Sequence, residues 1–143
     1  MLYAESNGLP KDELFVYEDA LRQGRTVLIV VAEDAIQADA TRVILAQAGA
    51  ESLDAARDTW WVGLRDAEAE IYTAPGRDFT KDEDVYRRGF EAALQADIAG
   101  KSSTDVVRYL QAYYPDMYSS AAFQRGYARG QAYYEELLAK RRT

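Results

Sequence analysis

The sequence predicts a helix-rich α/β (α+β) fold, in which a small β-sheet of few strands packs with about six helices. Two observations predict it. The run Thr26-Val27-Leu28-Ile29-Val30-Val31 is apolar, β-branched and without alternation, the pattern of a strand buried on both faces. Elsewhere, apolar residues recur at intervals of three and four between capping residues and glycines, the pattern of amphipathic helices.

Residues 1–9 read as a loop, with Leu2-Tyr3-Ala4 as a short strand candidate. Pro10 suits the first turn of a helix, with Asp12 and Glu13 at its positive end. Leu14, Tyr17 and Leu21 form its apolar stripe, and Gly24 stops it. After the strand, Glu33 and Asp34 open a helix whose inner face is traced by Ile36, Ala40, Val43, Ile44 and Gln47, closed by Gly49. Ser52 caps a long helix with Leu53, Ala56, Trp60, Leu64, Ala67 and Ile71 on one side. Gly63 keeps open a competing break or short strand over Trp60–Leu64. Thr73 to Phe79, containing Pro75-Gly76, is a loop.

Thr80 and Glu83 form a capping-box signature for a helix carrying Tyr86, Gly89, Phe90, Ala93 and Leu94 and ending near Gly100. Ser103 caps the next, with Val106, Val107, Leu110 and Tyr114 inward and Pro115 as terminator. Ser119 or Ser120 starts the last, striped by Phe123, Tyr127, Gly130, Tyr134 and Leu138. A solitary strand leaves backbone groups unpaired at about 1–3 kcal/mol for each buried group. Val27–Val31 therefore needs Leu2–Ala4, the region around Ala50–Leu53, or the same strand in a second copy. The core predicted is Val27, Ile29, Val31, Val43, Ile44, Trp60 and Leu64.

The 143 residues fit a single domain over 1–143, with 48% hydrophobic and 29% charged residues arguing against disorder. The chain contains no cysteine and no histidine. Thiolate metal sites, disulfides, imidazole ligands and Ser-His-Asp or Cys-His nucleophile systems are thereby excluded. Neither a membrane-spanning run nor a signal peptide is evident, and a cytoplasmic location is expected. A net charge of −7 disfavours nucleic acid and anionic lipid as partners.

Asn7-Gly8-Leu9-Pro10-Lys11-Asp12-Glu13, Tyr17-Glu18, Leu21-Arg22-Gln23-Gly24 and the strand form an ordered set, followed by Ala32-Glu33-Asp34 and Ala48-Gly49-Ala50. This set resembles the bacterial heat-induced or general stress protein family. The resemblance covers roughly residues 7–50 and implies the second half of a ferredoxin-like fold, without its first half. It divides the chain into a stress-family-like α/β unit over 1–50 and a helical extension over 51–143. It implies a stress-associated role and supplies no catalytic residue.

Charged clusters have ordinary explanations. Asp78, Asp82, Glu83 and Asp84 suit a helix N-terminus and lack the spacing of a calcium loop. Glu68, Glu70, Glu135 and Glu136 read as solvated helix faces. No metal site or cofactor is expected. Trp60 and Trp61 point about 100° apart on a helix. Trp60 continues the core stripe, while Trp61 either meets a partner or packs internally.

Tyr86-Arg87-Arg88-Gly89-Phe90 and Phe123-Gln124-Arg125-Gly126-Tyr127 share aromatic-x-Arg-Gly-aromatic. Gly89, Gly126 and Gly130 mark close helix packing, with a glycine-lined ligand contact as the alternative for Gly126 and Gly130, since a glycine inside a helix costs about 1 kcal/mol against alanine. Arg88, Arg125 and Arg129, with Tyr133 and Tyr134, are candidates for a wet interface or for an anion-binding surface.

The expected function is a non-enzymatic, stress-associated assembly module that self-associates, most simply as a homodimer, with another protein as a further partner. Its rivals are a module binding a small anionic ligand or single-stranded nucleic acid through the Arg/Tyr-rich helices, and a carboxylate-based enzyme.

Overall fold

The computed structural model describes residues 14–95 and 101–141, with side chains as far as Lys140. Six helices lie among the described residues: α1 (Leu14–Arg22), α2 (Ala35–Gln47), α3 (Leu53–Tyr72), α4 (Phe79–Leu94), α5 (Ser103–Tyr113) and α6 (Ala121–Arg141). The chain divides into two compact units, one ending at Asp66 and the other beginning at Ala67. Helix α3 runs across this boundary and contributes Ala67–Tyr72 to the second unit.

No strand occurs among the described residues. Over the described residues the α/β assignment is therefore corrected to an all-helical one, and the ferredoxin-like βα unit implied by the resemblance to the stress protein family is not present among them. The reason lies in the pairing. A β-branched run becomes a strand only when a ladder satisfies its backbone groups. Residues 26–32 make no backbone hydrogen bond to any other described residue. Of the expected partners, Leu2–Ala4 lies outside the described residues, and Leu53 already opens α3.

The N-terminal core is correspondingly different from the expected one. Ile29, Val31, Val43 and Ile44 are 47%, 70%, 56% and 63% exposed, and Val27 and Leu64 are half-buried. Helix α2 buries only Ala38, so the apolar face running through Ile36 and Val43 looks outward. Burial in this unit falls instead on Phe15, Val16, Tyr17, Ala20, Ala56, Trp60 and Trp61. The Phe15 and Trp60 rings lie 4.7 Å apart and the two tryptophan rings 6.1 Å apart. Residues 60–64 are helical, and Gly63 lies within α3 without breaking it.

Local signals explain the helix ends. Gly24 and Gly49 adopt φ of 73° and 89° just beyond α1 and α2, a backbone region that side chains avoid. Asp34 Oδ1 accepts from the Gln37 N–H at 2.8 Å, and Ser52 Oγ from the Ala55 N–H at 3.1 Å. Two caps fall slightly upstream of their expected positions: Asp78 rather than Thr80 caps α4, and Ser102 rather than Ser103 caps α5. Ser120 Oγ accepts from the Phe123 N–H at the start of α6.

The C-terminal unit is organised by α4 against α6. Phe90 and Phe123 are wholly buried, and Ala92, Ala93, Leu110 and Tyr127 cluster with Phe123. The two aromatic-x-Arg-Gly-aromatic motifs meet face to face. A Cβ added to Gly89 would land on the Phe123 carbonyl oxygen, with Tyr127 N at 2.9 Å; one added to Gly126 would land on the Tyr86 carbonyl oxygen, with Phe90 N at 3.1 Å. One at Gly130 would meet the Phe90 carbonyl oxygen and, at 2.8 Å, Ala93 Cβ. The helices touch backbone to backbone, an approach that any side chain at these positions would prevent.

Candidate functional site

Three pairs of residues at i and i+4 supply the polar centre of the C-terminal unit: Glu68 and Tyr72 on α3, Asp82 and Tyr86 on α4, Arg125 and Arg129 on α6. Side chains four apart on a helix stack along one face, so three such pairs assemble two rungs. In the first rung, Tyr86 donates its hydroxyl proton to Glu68 Oε2 at 2.7 Å. Arg129 donates to the same carboxylate from Nε at 3.0 Å and from Nη2 at 2.7 Å. In the second, the Tyr72 hydroxyl donates to Asp82 Oδ2 at 2.6 Å. Arg125 Nη1 reaches the Tyr72 oxygen at 3.5 Å, with its Cζ 5.8 Å from the ring centre.

Each rung thus combines a carboxylate, a phenol and a guanidinium. Aromatic edges seal the space between them: the Tyr72 and Tyr86 rings are 5.1 Å apart at 78°, and Phe79 lies 5.6 Å from each. Burial holds the Tyr86 phenol well above its ordinary pKa, and the hydrogen bond to Glu68 adds to this. Tyr72 is raised for the same reasons, with Asp82 as its acceptor. The hydrogen bonds to Glu68 raise Arg129. All these protons stay on their donors at neutral pH.

The first rung is chemically closed. Glu68 is 3% exposed and accepts three hydrogen bonds, so little of its acceptor capacity remains for a substrate. The arrangement behaves as a staple joining three helices. No group of three or more carboxylates among the described residues is placed to hold a metal ion.

The residues singled out from sequence scatter. Arg125 and Arg129 come together on one face of α6 in the rungs, whereas Arg88 is exposed on α4. Trp61 is 3% exposed and belongs to the interior of the N-terminal unit. Tyr133 packs its ring 5.4 Å from Phe90. Tyr134 lines an open cavity of about 490 Å³ beside α5 and α6, with Lys101, Gln131 and Glu135 as polar neighbours and Val106 and Leu138 as apolar ones. None of Arg88, Arg125 and Arg129 lines it. Sequence reasoning missed Glu68, Tyr72, Asp82 and Tyr86 as partners of the arginines. The matching i, i+4 spacing of acid, tyrosine and arginine was the signal that could have joined them.

A different surface stands out in the N-terminal unit. Between positions 28 and 44, Leu28, Ile29, Val31, Ile36, Val43 and Ile44 are each between 46% and 81% exposed. Singly scattered exposed aliphatics are common, whereas a contiguous exposed apolar patch marks an interaction site.

Comparison with family models, with curated proteins and with solved structures finds no match for this chain. No helix among the described residues is long and apolar enough to cross a membrane.

Proposed function

We propose that this chain is a non-catalytic interaction module that self-associates through its N-terminal unit. The six exposed aliphatic side chains between Leu28 and Ile44 carry this reading. Covering a large aliphatic side chain is worth roughly 1.5–3 kcal/mol. A second copy doubles every such contact across a two-fold axis. The polar rungs of the C-terminal unit fit the same reading, since they fasten helices together and leave the apolar stretch as the reactive surface. Another protein presenting a matching apolar face is the next candidate partner.

The rival readings have less behind them. An anion or single-stranded nucleic-acid module would rest on Arg88, Arg125 and Arg129. Arg129 is committed to Glu68 and Arg125 faces Tyr72. A carboxylate enzyme would need two convergent acids facing free space, whereas Glu68 and Asp82 both accept from tyrosines and, among the described residues, Glu135 is the one acid lining the cavity. A stress association would rest on the family resemblance alone, and neither the helical elements nor any family model supports that resemblance.

The test is Ile44→Asp, followed by molar mass and thermal stability together. Ile44 is 63% exposed, so within one copy the change should alter stability by no more than about 0.5 kcal/mol. Loss of self-association with helicity intact supports the reading. Unchanged mass in an assembled protein places the interface elsewhere.

A further inference from the structure

Residues 26–32 are free of charge, glycine and proline, are neither helical nor strand-paired, and make no backbone hydrogen bond to another described residue. Such a run is a template for β-pairing. We propose that it pairs antiparallel with the same segment of a second copy, with the two-fold axis at Ile29. This rests on the self-association proposed above and specifies its register.

The register follows from the charges that bracket the run. In an antiparallel pair centred on Ile29, residues equally far before and after it stand opposite one another and point to the same face. Ile29 then meets Ile29, Val27 meets Val31, Leu28 meets Val30, and Thr26 meets Ala32. One step beyond the apolar run on each side, Arg25 meets Glu33, and the symmetry makes this pair twice. Opposite charges directly across a ladder stabilise it, and like charges destabilise it.

Neighbouring registers lose both pairs. With the axis at Leu28, Arg25 faces Val31 and Glu33 faces Gln23; with the axis at Val30, Glu33 faces Val27 and Arg25 faces Ala35. Only the axis at Ile29 sets Arg25 opposite Glu33. Arg25 also forms an ion pair with Glu51 of its own chain, and a guanidinium has donors enough for both carboxylates.

The chain contains no cysteine, so a single introduced cysteine reports on its own symmetry mate. Directly opposite residues have Cα atoms about 4.5–5.5 Å apart, within disulfide range. Ile29→Cys should cross-link through mild oxidation into a covalent dimer. Val31→Cys should not, because its mate stands four residues along the ladder, about 13 Å away. In parallel, Arg25→Glu and Glu33→Arg should each weaken self-association about ten-fold, and mixing the two variants should restore it as a heterodimer with both charge pairs intact. Helicity is measured on every variant, so that a folding defect is recognised and the cysteine pair decides. A wild-type dimer whose Val31→Cys variant cross-links as well as Ile29→Cys, or whose charge variants do not recover on mixing, overturns this register and leaves self-association standing. A monomeric wild type overturns both.

Discussion

Arg129 holds Glu68 through two hydrogen bonds, of 3.0 and 2.7 Å, across 61 positions of sequence. The carboxylate is almost wholly removed from water, while about a quarter of the arginine side chain remains exposed. Losing either partner of such a pair leaves a buried charge without compensation, which usually costs about 3–5 kcal/mol. Arg129→Met should therefore destabilise the chain by about 3 kcal/mol in urea unfolding, towards the lower end because water reaches the arginine. Glu68→Gln in the same chain should recover more than half of the loss, since a neutral amide still accepts from Tyr86 and needs no counter-charge. A loss under about 1 kcal/mol for Arg129→Met, the size of an exposed ion pair, would show that the rung is ornamental.

The glycines of α4 and α6 separate from those elsewhere by one substitution each. An alanine at Gly126 would push its methyl group onto the Tyr86 carbonyl, and backbone cannot yield as a flexible side chain does. Gly126→Ala should destabilise by at least about 2 kcal/mol. At Gly63 an added Cβ meets nothing within 4 Å, and the residue lies inside α3. Gly63→Ala should stabilise by about 0.5–1 kcal/mol through helix propensity. Thermal or chemical unfolding of the two variants checks both signs.

Alkaline pH should unfold the chain through Tyr86. Its phenol is raised in the folded state, first by burial and then by its bond to Glu68, against an unfolded value of about 10. Below that value both states hold the proton and the contribution is complete. Above it the unfolded chain has released the proton while the folded chain keeps it, so stability falls as pH rises. Tyr72 adds to the same trend. Stability should begin to decline at about pH 10, where tyrosine ordinarily titrates, and Tyr86→Phe should flatten the decline. An equally steep decline in Tyr86→Phe would assign it to other groups.

The helices were legible because their signals are local. The α4 stripe of Tyr86, Gly89, Phe90, Ala93 and Leu94 is buried throughout, and Asp34, Ser52 and Ser120 cap where short-range rules place them. What was not legible depended on partners. Apolar periodicity reveals that Ile36, Val43 and Ile44 share a face of α2, but it carries no information on what covers that face. The run Val27–Val31 has the composition of a strand, yet a strand is a relation between segments, and no described segment pairs with it. Glu68 reads as a solvated acid because its compensation comes from α4 and α6, far along the chain. The equal i, i+4 spacing of Glu68 and Tyr72, of Asp82 and Tyr86, and of Arg125 and Arg129 was the trace of that pairing.

Whether the exposed aliphatic stretch of the N-terminal unit joins two copies is decided by light scattering coupled to size exclusion, at micromolar concentration. The chain has a mass of 16.1 kDa. The wild type should give about twice that value, as expected of a two-fold dimer. Val31→Asp, at a side chain 70% exposed, should bring it down to the single-chain mass with helicity unchanged. A wild type that stays at 16.1 kDa over a hundred-fold range of concentration, on the order of the span that separates weak from tight dimers, would refute self-association.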